Sequence, residues 1–445
     1  MNACGEGAPG DVGEPAKAVD GLPPGDLTPN SGSQGEIASG TVAPSAVAGV
    51  APALADPESI LWTNNALQIL TTVAWFVTAP FIPLYLTSQG APVNIIGAII
   101  GFSAVVPLLI SLHAGALVDE RGPAAVTKVS VVLYALAGGM LTVLHAVWST
   151  AVAYGLLGIA NIGFAVASQA VVAAASTPAT RVQNYGYYSL WNSAGAVIGP
   201  VIGGLITGRF GYRSAFALLC LLMIPSFAIA GALRGVPAGP RRASSLAMPH
   251  RVIGTILRQP GVSAILFISF VVVCGQTLQQ SFYPLYLHKV GLPPALIGIT
   301  VATISLGSMV VRASLSRGVE WFGYSWLLLG ATAVLALALG IIPLLRHFWS
   351  LIIVSGLMGA SLGFTQPLTM SLMIESVSAE FWGVAFGIRQ AAQRIGTILS
   401  PIVYGLVTTA SGVETAFYLG GAALLGAVPI MARVTGHLRR PPDTG

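Results

Sequence analysis

Pro83-Leu84-Tyr85-Leu86 and, 201 positions later, Pro284-Leu285-Tyr286-Leu287 are the same four residues in the same order. Working outward from them, Phe81 falls on Phe282, and Gly90, Pro92, Ile96 and Gly97 fall on Gly291, Pro293, Ile297 and Gly298. Further along, Gly155 and Gly158 fall on Gly356 and Gly359, followed by Gly186/Gly387, Gly195/Gly396, Pro200/Pro401, Gly204/Gly405, Gly211/Gly412 and Phe216/Phe417. Residues 80–216 therefore reappear at 281–417 without a change of register. Glycine and proline fix backbone geometry, so their recurrence at one offset means two halves folded the same way.

The solvent of those halves is set by composition. Hydrophobic residues make up 54% of the 445, charged residues 8%, and mean hydropathy is +0.80, whereas soluble domains carry about 25% charged residues. This is the composition of an integral membrane protein. A spanning helix needs about 20 mostly apolar residues, and twelve stretches qualify, at roughly 59–86, 93–118, 123–146, 148–176, 184–208, 212–234, 261–288, 294–317, 324–345, 348–376, 382–409 and 413–435. The expected fold is an all-α integral membrane protein with twelve transmembrane helices in two pseudo-symmetric six-helix bundles. Its divisions are an N-terminal tail at 1–57, a first bundle at 58–234, a linker at 235–260, a second bundle at 261–435 and a C-terminal tail at 436–445. Duplication in a membrane protein points to a transporter, whose site lies between the repeats near the bilayer midplane.

Lys and Arg concentrate on the linker side, at Arg121, Lys128, Arg181, Arg234, Arg241, Arg242, Arg251, Arg258, Arg312, Arg317, Arg433, Arg439 and Arg440. The opposite side holds Arg209, Arg213, Lys289 and Arg346. Short cytoplasmic loops carry the basic excess, which predicts a multi-pass protein of the cytoplasmic (inner) membrane with both termini in the cytoplasm. The net charge of +5 is then a topology signal, and no nucleic-acid partner is expected. The Gly-, Pro-, Ala- and Ser-rich N-terminal stretch lacks helical periodicity and reads as a disordered tail, without the basic start and apolar run of a signal peptide. Cys4, Cys220 and Cys274 are too few and too scattered for a disulfide framework or a metal cluster.

Between the second and third spans stands Gly115-Ala116-Leu117-Val118-Asp119-Glu120-Arg121-Gly122. It resembles the loop motif of the major facilitator superfamily. A carboxylate at the membrane edge can accept hydrogen bonds from a helix N-terminus or an arginine and lock two bundles together on one side. The resemblance implies a conformational latch formed by Gly115, Asp119, Arg121 and Gly122. A degenerate copy places Glu320 opposite Asp119 and Gly323 opposite Gly122. Glu120, Pro123 and Ala124 depart from the basic residues common in the family, so the charge network is thin.

The fifth span contains Gly195-Ala196-Val197-Ile198-Gly199-Pro200-Val201-Ile202-Gly203-Gly204. Gly195, Gly199 and Gly203 share a helix face and permit close backbone approach, while Pro200 removes a helix hydrogen bond. Together with Gly204 this run looks like the fifth-helix motif of the twelve-helix drug:proton antiporter branch of that superfamily. Pro80-Phe81-Ile82-Pro83 similarly resembles that branch's paired prolines. The branch's arginine in the fourth helix has no counterpart between Tyr154 and Gln169.

An ionisable side chain in a spanning helix is costly and marks function by default. The eleventh span has Arg389-Gln390-Ala391-Ala392-Gln393-Arg394. If it starts near Phe381, Arg389 lies about 12 Å and Arg394 about 20 Å into the membrane, with Gln393 on the face of Arg389. Arg389 with Gln393 can present a donor fork to an anionic or carbonyl-rich compound, or pair structurally with Glu375 or helix-end carbonyls. Arg312 is expected to snorkel from the end of its span. Gln68, Asn161, Trp191, Asn192, Gln276, Gln279, Gln280 and Gln366 complete the candidate binding residues, since in the resembled fold the first, fourth, seventh and tenth helices line the cavity. Amides among aromatic surfaces suit a mid-sized organic molecule. A proton carrier must change charge as access changes, and His113, Glu375 and Arg394 are the gating or coupling candidates.

The expected function is a secondary active transporter that exports a small organic compound, drug or metabolite, by rocker-switch alternating access, with proton coupling implied by the resemblance. The alternatives are an importer or exchanger of an organic anion that uses the arginines of the eleventh span and, more remotely, a non-transporting receptor. No P-loop, metal-ligand cluster or nucleophile–base pair stands at motif spacing, so neither an enzyme nor a cofactor is expected. Energy comes from an ion gradient, the partners are the substrate and the bilayer, and the chain is expected to act as a monomer.

Overall fold

The computed structural model describes residues 56–105, 108–109, 117–177, 179–236, 262–377 and 382–437. The expected tails and linker fall almost wholly outside these residues. Regular structure among the described residues is helical throughout. In chain order the helices are α1 (Pro57–Thr78), α2 (Ile82–Ser88), α3 (Val93–Ser103), α4 (Pro123–Val143), α5 (Val147–Ala174), α6 (Arg181–Phe210) and α7 (Tyr212–Ile229). There follow α8 (Val262–Lys289), α9 (Pro294–Ala313), α10 (Leu315–Ile341), α11 (Phe348–Ser376), α12 (Trp382–Ser411) and α13 (Val413–His437).

Ten helical stretches among the described residues are long and apolar enough to cross a membrane, so this is a multi-pass membrane protein. One of them, Pro57–Ser88, joins α1 and α2 through a 3₁₀ turn at Ala79–Phe81 that contains Pro80. The short apolar α3 and the 30-residue α12, which carries Arg389 and Arg394, are not among the ten. The ninth predicted span began at 324, but helix starts at Leu315 and breaks at Gly323, whose φ of 74° interrupts it.

The repeat is written in the backbone. Gly90, Gly122 and Gly211 have φ of 80°, 80° and 84°, and their partners 201 positions on, Gly291, Gly323 and Gly412, have 91°, 74° and 89°. These conformations are open to glycine and strained for other residues. Side chains follow the same offset. Tyr85 donates to the Leu144 carbonyl at 3.4 Å and Tyr286 to the Leu345 carbonyl at 2.8 Å. Tyr85 meets Phe216 edge-on at 5.1 Å, and Tyr286 meets Phe417 at 5.7 Å.

One core gathers Leu67, Tyr134, Leu157, Phe216 and Leu219, and a second gathers Leu278, Tyr283, Leu335, Leu339 and Phe417. Phe81 and Leu84 reach across to join the second core. Buried hydroxyls such as Thr71, Thr78, Thr277 and Thr332 bond carbonyls one turn back in their own helices, which satisfies them where water is absent.

The halves touch at two crossings related by the same offset. In one, Gly204 of α6 lies against α9, where an added methyl would come 2.5 Å from the Pro294 carbonyl oxygen and 3.0 Å from Gly298 Cα. Gly298 in turn lies against the Pro200 carbonyl. In the other, Gly97 of α3 lies against the Pro401 carbonyl and Gly405 of α12, and a methyl on Gly405 would meet Val93 O and Gly97 Cα at 3.1 Å. Small residues let backbones approach in this way. Both crossings sit near the end that carries the Gly90, Gly211, Gly291 and Gly412 turns. Toward the opposite end α6 is exposed around its circumference, at Gln183, Tyr187, Ser189, Leu190 and Asn192.

Candidate functional site

Between the halves lies a cavity of about 440 Å³, within the roughly 300–1,000 Å³ of small-molecule sites. The N-terminal half contributes mainly ring and apolar surface: Trp75, Phe76, Ala79, Pro80, Pro83 and Tyr154. Trp75 and Tyr154 stack with centroids 6.4 Å apart and planes at 27°. The C-terminal half contributes polar surface from Gln276, Gln279, Gln280, Ser305, Ser308 and Gln366, together with Arg312 and Arg394.

Of the candidate binding residues, Asn161, Asn192, Gln276, Gln279, Gln280 and Gln366 line this cavity. Gln68, Trp191, Arg389 and Gln393 do not. Gln68, only 4% exposed, lies behind the wall and donates to Thr72 Oγ1 at 3.0 Å and Asn192 Oδ1 at 2.9 Å. Thr72 Oγ1 also donates to Asn192 Oδ1, at 3.1 Å. Deeper still, Ser168 donates to Asn64 Oδ1 at 2.9 Å. Trp191 packs edge-on against Trp62 at 6.4 Å. The structure thus makes Gln68 a support for a wall amide.

Arg389 plays the corresponding part in the other half. It is 4% exposed, and one terminal nitrogen donates to Gln366 Oε1 at 2.8 Å and to Thr369 Oγ1 at 3.0 Å. Gln393 Nε2 donates to the same Gln366 oxygen at 3.3 Å. Five residues along α12, Arg394 lies on the cavity wall, as does Arg312 from the last turn of α9, which the sequence had placed at the membrane edge. Trp75, Phe76 and Tyr154 were not singled out beforehand. The repeat held a signal for Trp75, which lies 201 positions before the candidate Gln276.

At the loop motif Asp119 is half-buried in a helical turn, Arg121 and Glu120 are exposed, and Gly122 precedes α4 with a φ of 80°. Glu320 occupies the equivalent turn before Gly323 and is exposed. Among the described residues neither acid makes an ion pair; the pair found there joins Lys289 to Glu414 at 2.6 Å. Gly115 and His113 lie outside the described residues, as does the side chain of Glu375. The fifth-helix motif divides its work. Methyls on Gly195, Gly199 and Gly203 would come 2.6–2.7 Å from Thr72, Phe76 and Val77 of α1, whereas Pro200 and Gly204 face α9 of the other half. Among the described residues no group of three or more His, Cys, Asp and Glu side chains is placed to hold a metal ion.

Comparison with known proteins agrees with this architecture. Residues 66–344 and 265–445 match the family model of the Major Facilitator Superfamily. The multidrug resistance protein MdtG of Escherichia fergusonii is 22% identical over 390 residues, covering 83% of this chain and 93% of that protein. Among solved structures, the nucleoside transporter NupG superposes with a TM-score of 0.72 at 11% identity, covering 84% of this chain and 99% of that one. A bacterial homolog of the human lysosomal transporter Spinster, solved inward-facing and unoccupied, superposes with a TM-score of 0.69 at 14% identity, covering 87% and 99%.

Proposed function

This chain belongs to the major facilitator superfamily and is a secondary active transporter working by alternating access, and from that premise we propose that it exports a small organic compound from the cytoplasm. The observation that carries the reading is a cavity on the axis between the halves, closed by the two glycine crossings at one end and bordered toward the other by the exposed first turns of α6. With the linker and both termini in the cytoplasm, as the basic residues argue, this is the inward-facing state of a twelve-helix protein of two six-helix bundles in the inner membrane. Asp119, which makes no ion pair among the described residues, fits that state, because a cytoplasmic latch is released when the cytoplasmic side opens. The fifth-helix motif and the likeness to a protein named for multidrug resistance support export and proton coupling.

Two measurements test the reading. An impermeant thiol reagent applied to intact cells is expected to modify Gln89→Cys and to miss Ser245→Cys; the reverse pattern inverts the topology and the state. Flux of a compound panel is expected into inside-out vesicles and to rise with an inward-acid pH gradient, with Asp119→Asn reducing it while leaving affinity within a few-fold. Uptake confined to right-side-out vesicles contradicts export.

A further inference from the structure

The polar surface of the cavity combines amides and hydroxyls, which both donate and accept, with guanidinium groups that only donate. Among the described residues Arg312 and Arg394 are the charged residues of its lining, and no Asp or Glu stands with them. A guanidinium has five N–H donors, no acceptor and a permanent charge. Two wall amides that ordinarily offer both chemistries have their oxygens engaged from behind: Asn192 Oδ1 by Gln68 and Thr72, and Gln366 Oε1 by Arg389 and Gln393. Their NH₂ groups make no hydrogen bond among the described residues. Asn161 is turned the other way, since its nitrogen donates to Tyr134 Oη at 3.0 Å and its oxygen remains, while Gln276, Gln279 and Gln280 offer both chemistries.

Behind the wall Arg389 adds a third guanidinium, whose bonded partners among the described residues, Gln366 and Thr369, are neutral. The acids with described side chains, Asp56, Glu58, Asp119, Glu120, Glu320 and Glu414, all sit at helix ends or turns away from the cavity lining. Cations inside a membrane protein are costly unless they find a counter-charge. Across the cavity stand the stacked rings of Trp75 and Tyr154.

Resting on the transporter reading above, we propose that the substrate is an amphiphilic organic anion. Its acidic group lies between Arg312 and Arg394 and takes hydrogen bonds from the amide nitrogens of Gln366 and Asn192. Its apolar body lies against Trp75 and Tyr154. Arg389 is a positioning residue: by holding the Gln366 oxygen it turns the donor side of that amide to the substrate. Two guanidinium groups with no ion-pair partner among the described residues repel an organic cation of the same shape, so charge, more than size, selects the cargo.

The test uses the full chain in an uncharged detergent and two probes with one ring system and opposite charge, 2-naphthalenesulfonate and 2-naphthylmethylammonium, read by equilibrium dialysis. The sulfonate is expected to bind at least about 10-fold more tightly than the ammonium. Arg394→Gln and Arg312→Gln should each weaken the sulfonate by roughly 10- to 150-fold, the size of one charged hydrogen bond. Arg394→Lys and Arg312→Lys, which keep the charge, should lose less. The proposal is overturned if the ammonium binds as well as the sulfonate, if both Gln variants elute as folded protein with unchanged sulfonate affinity, or if no sulfonate binding occurs up to about 1 mM. Transport itself is followed separately through Thr397→Cys in a chain otherwise free of cysteine, labelled from each side of the membrane. Labelling from both sides with cation-selective binding removes the anion and keeps the transporter, whereas labelling from one side only removes alternating access.

Discussion

Trp75 and Gln276 occupy the same place in the two halves, as do Phe76 and Thr277, Ala79 and Gln280, Pro80 and Ser281, and Ser193 and Arg394, and all ten line the cavity. The backbones that carry them are near-copies, down to the three pairs of positive-φ glycines. In the first four pairs the chemistry is opposite, rings and apolar surface from the first half and amides and hydroxyls from the second, and in the fifth a hydroxyl faces a guanidinium; Ser103 with Ile304 and Asn161 with Leu362 reverse the polarity. Positions that bend or appose helices answer to the fold, and the fold is the same twice. Positions on the axis answer to a ligand that lies across it and shows each half a different face, so nothing holds them alike.

The largest expected effect tests whether the two crossings are equivalent in function as they are in geometry. Gly298→Val and Gly97→Val each push a branched side chain into a facing backbone carbonyl, of Pro200 and of Pro401. Overpacking costs about 1–3 kcal/mol, which biases a two-state equilibrium by roughly 5- to 150-fold. Both variants should lose transport by that order and label more readily at a cavity cysteine from the sealed side. Unequal shifts would break the symmetry and make one crossing the gate.

The same division explains what could be read from the chain. Gly97, Gly204, Gly298 and Gly405 recur because helices must touch there, and a pattern of small residues survives in sequence. The amides of the wall were legible because a polar side chain in an apolar span has few uses, and the sequence did not separate them from Gln68 and Gln393, which bond wall amides from behind. Which arginine meets the ligand was not. Arg389 and Arg394 are five residues apart, about 140° around a helix, and only the packing of α11 against α12 decides which of them turns inward. Lipid and protein core are both apolar, so periodicity does not mark the inner face. Arg312 is the penultimate residue of α9 and still lines the cavity, a placement set by how the helices pack rather than by its position in the sequence.

A middle-sized effect concerns Arg389, whose place in the first half is taken by Tyr188. Arg389→Met removes the clamp on Gln366 and lets its oxygen turn toward the cavity. Loss of one charged hydrogen bond at second hand should weaken the sulfonate probe by about 10-fold. The sulfonate-to-ammonium preference should narrow as well, a change that simple loss of packing does not produce. Tyr188→Phe should leave that preference alone. A fall in thermal stability at constant preference would confine Arg389 to a structural role.

The smallest effect is expected where the halves differ without consequence for the cavity. Lys289 at the end of α8 and Glu414 at the start of α13 form a pair at 2.6 Å, with side chains 56% and 34% exposed. Their counterparts in the first half are Ser88 and Arg213, which cannot form it. Exposed pairs are worth about 0–1 kcal/mol because water and salt screen them and two long side chains must be held still. Both partners belong to the second half, so the pair spans no crossing and should not change as the halves rock. A double-mutant cycle with Lys289→Ala and Glu414→Ala, read by thermal unfolding in detergent, should give a coupling below about 1 kcal/mol that fades with added salt. Transport by either variant should stay within about 5-fold of the parent, the rate equivalent of that energy. A coupling above about 2 kcal/mol, or one indifferent to salt, would mean that the pair is buried in another state of the cycle. The second half would then carry a lock on the sealed side that the first half lacks.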